Sequence, residues 1–126
     1  MSANLGELTL NLLRVITGFL FMPHGAQKLF GVLGRDAVPW MSLMGLAGIL
    51  EFFGGILILL GIFTRPVAFV LAGQMAVAYF MAHGHQALLP IANGGELAVL
   101  YCFVFLFLFA NGGGEFSVDG WLRRRK

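Results

Sequence analysis

The sequence predicts an all-α integral membrane protein, a four-helix bundle made of two repeated helix hairpins. Three observations predict it. Eight Lys and Arg and six Asp and Glu stand among 126 residues, 59% of the chain is hydrophobic, and the mean hydropathy is +0.87. A soluble domain is about 25% charged. At 11% the polar groups are too few to cover a globule in water, so the surrounding medium is a bilayer. Four apolar segments also reach spanning length between turn-forming stretches. Finally, "FMPHGAQKL" at 21–29 and "FMAHGHQAL" at 80–88 agree at six of nine positions, each closing an apolar run.

A spanning helix needs about 20 residues, and the spans fall at roughly 5–30, 41–63, 66–83 and 93–110 of a single transmembrane domain. The first begins in "MSANLGELTL", which carries Glu7, no Lys or Arg and no persuasive cleavage site, and so reads as the start of a retained helix. "GVLGRDAVP" separates the first two spans. "TRP" at 64–66 separates the second and third, with Pro66 suited to a first helical turn. "GHQALLP" divides the third from the fourth, and the Gly cluster of "NGGGEFSVDG" ends the fourth. The 18 glycines, about twice the usual share, suggest helices that approach closely in lipid. Residues 111–126 form an interfacial basic tail, with Phe116 and Trp121 among the headgroups and Arg123, Arg124, Arg125 and Lys126 on anionic lipid.

Four spans put both termini and the turn between spans 2 and 3 on one side. Arg65 and the four terminal cations fall there, against Lys28 and Arg35 on the other, so both termini are expected to be cytoplasmic in a multi-pass inner-membrane protein. The two His-Gly-x-Gln phrases close spans 1 and 3, which run in the same direction. Each is followed by a span carrying one Glu, so the two units are expected to be related by an axis along the membrane normal.

Ionisable side chains inside lipid cost about 2.5–3.5 kcal/mol at a helix centre on insertion scales. They persist where they face an interior, find partners or do work. The candidates are Arg14, His24, Lys28, Glu51, Gln74, His83, His85 and Glu96. Arg14, Gly18, Phe21, Gly25 and Lys28 share one helical face, with His24 beside it and Pro23 expected to kink the helix just before. Lys28 either joins that inner face or snorkels to the interface. Glu51 falls near mid-bilayer between Gly48 and Gly55. It is either a structural ion-pair partner of Arg14 or Lys28, or a group that handles protons or ligand. "NGGE" has capping-box spacing, with Asn93 as N-cap and Glu96 as third helical residue. Gln74 shares a face with His85. The expected ligand seam comprises Arg14, His24, Lys28, Glu51, Gln74, His83 and Glu96, with Glu51, His24 and Lys28 as its catalytic candidates.

Several classes are excluded or disfavoured. The net charge of +2 gives no case for nucleic acid. Cys102 is the single cysteine and reads as a packing residue, so the chain has no C-x-x-C pair for dithiol chemistry. His83 and His85 point about 200° apart on a helix, and no metal site is expected.

"HGAQKLFG" at 24–31, "ILEFFGGILILLGIFTRPVA" at 49–68, "NGGE" at 93–96 and "GGGEFSVDGWL" at 112–122 together resemble the DoxX family of small bacterial membrane proteins, over nearly the whole chain. The resemblance implies a four-helix inner-membrane protein. The family takes its name from a subunit of a thiosulfate:quinone oxidoreductase. Other members are associated with thiol homeostasis and oxidative-stress defence, beside a sulfurtransferase and a superoxide dismutase. The motif positions that carry over are Arg14, His24, Gly25, Lys28, Glu51, Gly55 and Glu96. The function expected is a redox-linked membrane subunit, with quinone as the candidate cofactor and soluble redox enzymes as candidate partners. The alternatives are a small proton-coupled permease, for which four spans are few and a homo-oligomer is expected, and a non-catalytic scaffold docking soluble enzymes through its tail.

Overall fold

The computed structural model describes residues 4–32, 36–82, 89–90 and 94–125. Among them are five helices and no strand: α1 (Leu5–Phe30), α2 (Leu43–Leu60), α3 (Thr64–Ala82), α4 (Glu96–Asn111) and α5 (Val118–Arg125). Two of these, α1 and α2, are long and apolar enough to cross a membrane. α4 is a shorter apolar helix of 16 residues. All four longer helices turn Phe side chains outward: Phe19, Phe53, Phe69 and Phe103 are each more than half exposed, an outer surface that suits acyl chains.

Helix ends follow local chemistry. The Asn4 side chain accepts from Glu7 N–H at the start of α1, and Gly31 ends it in the left-handed region at φ 66°. α1 runs through Pro23 as one helix. α2 starts at 43 rather than 41 because the Ser42 hydroxyl caps Gly45 N–H at 3.0 Å, and it stops at Leu60 because Gly61 takes φ 72°. α3 begins two residues earlier than the sequence suggests, with Pro66 in its first turn. Its N-terminus is capped from far away: Asp119 accepts from Phe63 N–H at 2.9 Å and Thr64 N–H at 2.8 Å. That bond pattern holds Phe63 at φ 50°, a conformation an aromatic residue adopts at a cost of roughly 1–2 kcal/mol.

α1 packs antiparallel on α2, α3 on α4, and α2 on α3. The α1–α2 contact is made by glycines spaced seven apart on both helices. A Cβ at Gly18 would lie 2.6–2.9 Å from Leu59 and Gly55 backbone atoms, and one at Gly55 would lie 2.9–3.0 Å from Met22. Gly25 likewise seats against Gly48 and Phe52. Phe21 bridges to α4 by edge contacts with Tyr101 and Phe105, both with centroids 5.0 Å apart. Ile58, Leu71, Met75 and Leu108 complete this core.

The tail is folded onto the helices rather than lying free on lipid. Asp119 N–H donates to Gly61 O, Phe116 N–H to Asn11 Oδ1, and Glu115 N–H to the Glu7 carboxylate. The start of α1, the α2–α3 turn and the tail are thereby joined at one end. Trp121 and Phe116 stay about half exposed.

Candidate functional site

Lys28, Glu51 and Gln74 form one buried polar cluster. Lys28 lies in the last turn of α1, and because Cα–Cβ bonds tilt toward a helix N-terminus, its stem points down into the bundle. Gly48 leaves room for that stem: a Cβ there would meet Lys28 Cβ at 2.9 Å. Glu51 lies one turn on from Gly48 along α2 and so faces the same way. Lys28 Nζ donates to Glu51 Oε1 at 2.6 Å and Oε2 at 2.7 Å, with the two side chains 13% and 5% exposed. From α3, Gln74 Nε2 donates to Glu51 Oε2 at 2.8 Å. A carboxylate paired with an ammonium only accepts, which fixes the amide orientation and leaves Gln74 Oε1 buried without a donor among the described residues.

The cluster forms part of the wall of a cavity of about 830 Å³ opening between the four longer helices. Phe21, Leu50, Met75, Ala78 and Leu97 supply apolar wall. His24 is exposed on the α1 side and makes an edge contact with Tyr101 of α4, centroids 6.4 Å apart. Both rings line the same space. Lys28 and Glu51 cancel in formal charge, so the polar wall is net neutral apart from His24. Gly73 also lines the cavity, and a Cβ there would have nothing within 4 Å.

The other sequence candidates are placed elsewhere. Arg14 is not in the cavity. It is buried where α2 ends, donating to Ile58 O, Leu59 O, Gly113 O and Asn11 Oδ1, because antiparallel α1–α2 packing sets residue 14 beside 58–59 and residue 28 beside 48–51. Glu96 is exposed in the first turn of α4. The N-cap is Gly95 with no side-chain cap bond, so Glu96 stands at the first helical position and not at the third, and the capping-box expectation fails. It does not line the cavity. His83 and His85, with most of the second His-Gly phrase, lie outside the described residues. Tyr101 and Asn11 escaped the sequence reading. Tyr101 is the one hydrogen-bonding aromatic in α4, and Asn11 precedes Arg14 by three residues, so both left a visible trace.

The DoxX family model matches residues 9–84, which include Arg14, His24, Lys28, Glu51 and Gln74. An uncharacterized protein of Haemophilus influenzae is 38% identical over 114 residues, covering 85% of each chain. The Escherichia coli inner membrane protein YqjF is 30% identical over 128 residues, covering 89% of this chain and 90% of its own. No solved structure matches.

Proposed function

The chain belongs to the DoxX family of membrane proteins, and from that membership and the buried cluster we propose an inner-membrane protein that binds an uncharged amphiphile of the quinone class between its helices. In this proposal the four longer helices span as two hairpins, with both termini cytoplasmic, and the protein serves as the membrane subunit of a redox system.

The observation that carries it is a charge-neutral polar cluster in the wall of an apolar cavity of about 830 Å³. A free anion or cation entering there would meet a lysine and a glutamate already satisfied by each other. A ring with polar substituents and an apolar tail suits the chemistry better. His24 and Tyr101 carry the groups that would hold ring oxygens. Glu51, reachable through Lys28 and Gln74, would hold or release a proton beside them. A bound quinone would supply the two-electron carrier that a single-cysteine chain cannot provide alone.

Native purification followed by lipid extraction and mass spectrometry tests this. Wild-type protein is expected to retain quinone above the level in an unrelated membrane protein prepared alongside. Gly73→Leu, which fills the cavity without touching the polar cluster, is expected to lose it while melting near the wild-type temperature. Equal quinone in wild type, Gly73→Leu and the unrelated control removes the proposal.

A further inference from the structure

We propose that the protein also holds the phosphate of an anionic lipid headgroup, in a second pocket where α1, the end of α2 and α5 meet. This pocket has a volume of about 450 Å³ and is lined by Arg14, Arg124, Trp121, Val15 and Leu60 among others.

Arg14 is 2% exposed, yet all its bonds run to neutral acceptors: Gly113 O at 2.7 Å, Ile58 O at 3.2 Å, Leu59 O at 2.5 Å and Asn11 Oδ1 at 3.3 Å. Among the described residues the salt bridge is Lys28–Glu51, so no carboxylate lies within ion-pair distance of the Arg14 guanidinium, and Asp119 acts on it only at longer range. Two acidic groups at this end are already bonded elsewhere, Asp119 to Phe63 N–H and Thr64 N–H, and Glu7 to Glu115 N–H and Asn11 Nδ2. A buried positive charge without a close counter-charge is costly. These bonds take four of the five Arg14 N–H groups, so Arg14 offers a phosphate diester its charge and one N–H, and the fork that matches phosphate geometry falls to Arg124.

The surroundings fit a headgroup. Arg124 is held near the rim by donating to Glu115 O. Trp121 is half exposed with Arg125 stacked 5.0 Å over its ring, the placement of an interfacial tryptophan. Val15, Leu59 and Leu60 continue from the basic floor as an apolar wall. That wall suits the first methylenes of an acyl chain and would be left wet by free phosphate. Diffuse attraction of a basic tail to anionic lipid would treat Arg123 and Arg124 alike; a built pocket would not, since Arg124 lines it and Arg123 does not.

The test uses full-length protein in neutral detergent at about 0.5 M salt, where the screening length is only about 4 Å and diffuse attraction is suppressed. Native mass spectrometry would count retained dioleoylphosphatidylglycerol, with phosphatidylcholine as competitor. Wild type is expected to retain phosphatidylglycerol preferentially. Arg124→Gln should weaken retention about fivefold or more, and Arg123→Gln by less than about twofold. Arg124→Gln is the informative variant because Arg14 also ties α2 to the tail, and Arg14→Gln is expected to unfold. Equal loss in both tail variants, or no preferential retention by wild type, overturns the site. A thermal shift with inorganic phosphate and no retained lipid overturns the lipid assignment and leaves a soluble phosphate as the occupant.

Discussion

Glu51 touches two other helices through one carboxylate: Lys28 from α1 and Gln74 from α3. It therefore fixes three helices in register as well as furnishing the cavity. Glu51→Gln would leave the Lys28 ammonium without its counter-charge, and breaking a buried pair from one side costs about 3–5 kcal/mol. Lys28 reaches the open cavity, so the lower end, about 3 kcal/mol, is expected. Lys28→Met leaves the opposite charge stranded and is expected to cost as much. The double variant Lys28→Met with Glu51→Gln strands neither, so its loss should fall short of the sum of the singles by about 1–3 kcal/mol. Unfolding in mixed micelles across the four-member cycle measures this, and strictly additive losses would deny the pairing. From sequence, Glu51 was recognisable as a buried acid with a basic partner, but Arg14 and Lys28 were equal claimants because both lie on one face of α1. The choice depends on where α2 stops. Gly61 ends it beside Arg14, which occupies that cation with carbonyls and leaves Lys28 for the acid.

The helices meet through glycine where the sequence pattern placed glycine. Gly18 and Gly25 of α1 lie against Gly55 and Gly48 of α2, with backbone atoms occupying the space a Cβ would need. Gly18→Leu is expected to push the hairpin apart and lower stability by several kcal/mol, beyond the roughly 1–3 kcal/mol typical of overpacking, because neither backbone can yield. Gly73→Ala is the contrast: it lies within a helix with open space around it, so it should be neutral or stabilising by about 0.5–1 kcal/mol. Thermal melts of the two variants should move in opposite directions or by very different amounts. The boundaries of α1 were legible from local signals at Asn4 and Gly31, whereas the caps at Ser42 and Gly61 trim α2 to 43–60 from the 41–63 that its apolar run suggests. The start of α3 was not legible, because its cap is Asp119, 55 residues from Thr64. Asp119→Ala should accordingly cost about 1–2 kcal/mol and raise hydrogen exchange together at 63–65 and 112–121. Faster exchange in the tail alone would mean that α3 does not depend on this cap.

At the scale of the whole molecule, one end gathers the start of α1, the α2–α3 turn and the folded tail, and with them Arg14, Arg65, Arg123, Arg124 and Arg125. Lys28, which the sequence counts toward the other end, is withdrawn into the interior by Glu51, so the charge bias is steeper than the linear chain suggests. The four longer helices were readable from apolar runs and their punctuation. The inward turn of Lys28 and the docking of the tail were not, since both arise from contacts between segments far apart in sequence. Excess Arg and Lys marks the cytoplasmic side, so the gathered end should face the cytoplasm. Cysteine labelling decides this, because Cys102 is the single native thiol and Cys102→Ala gives a clean background. Met41→Cys places a thiol between α1 and α2 at a position 99% exposed; Arg125→Cys places one at the basic end. A membrane-impermeant maleimide should modify Met41→Cys in intact spheroplasts and Arg125→Cys only after lysis. The reverse pattern would invert the orientation. Modification of both in intact cells would put the two positions on one side, which two spanning hairpins forbid, and the bilayer arrangement of the four longer helices would fail with it.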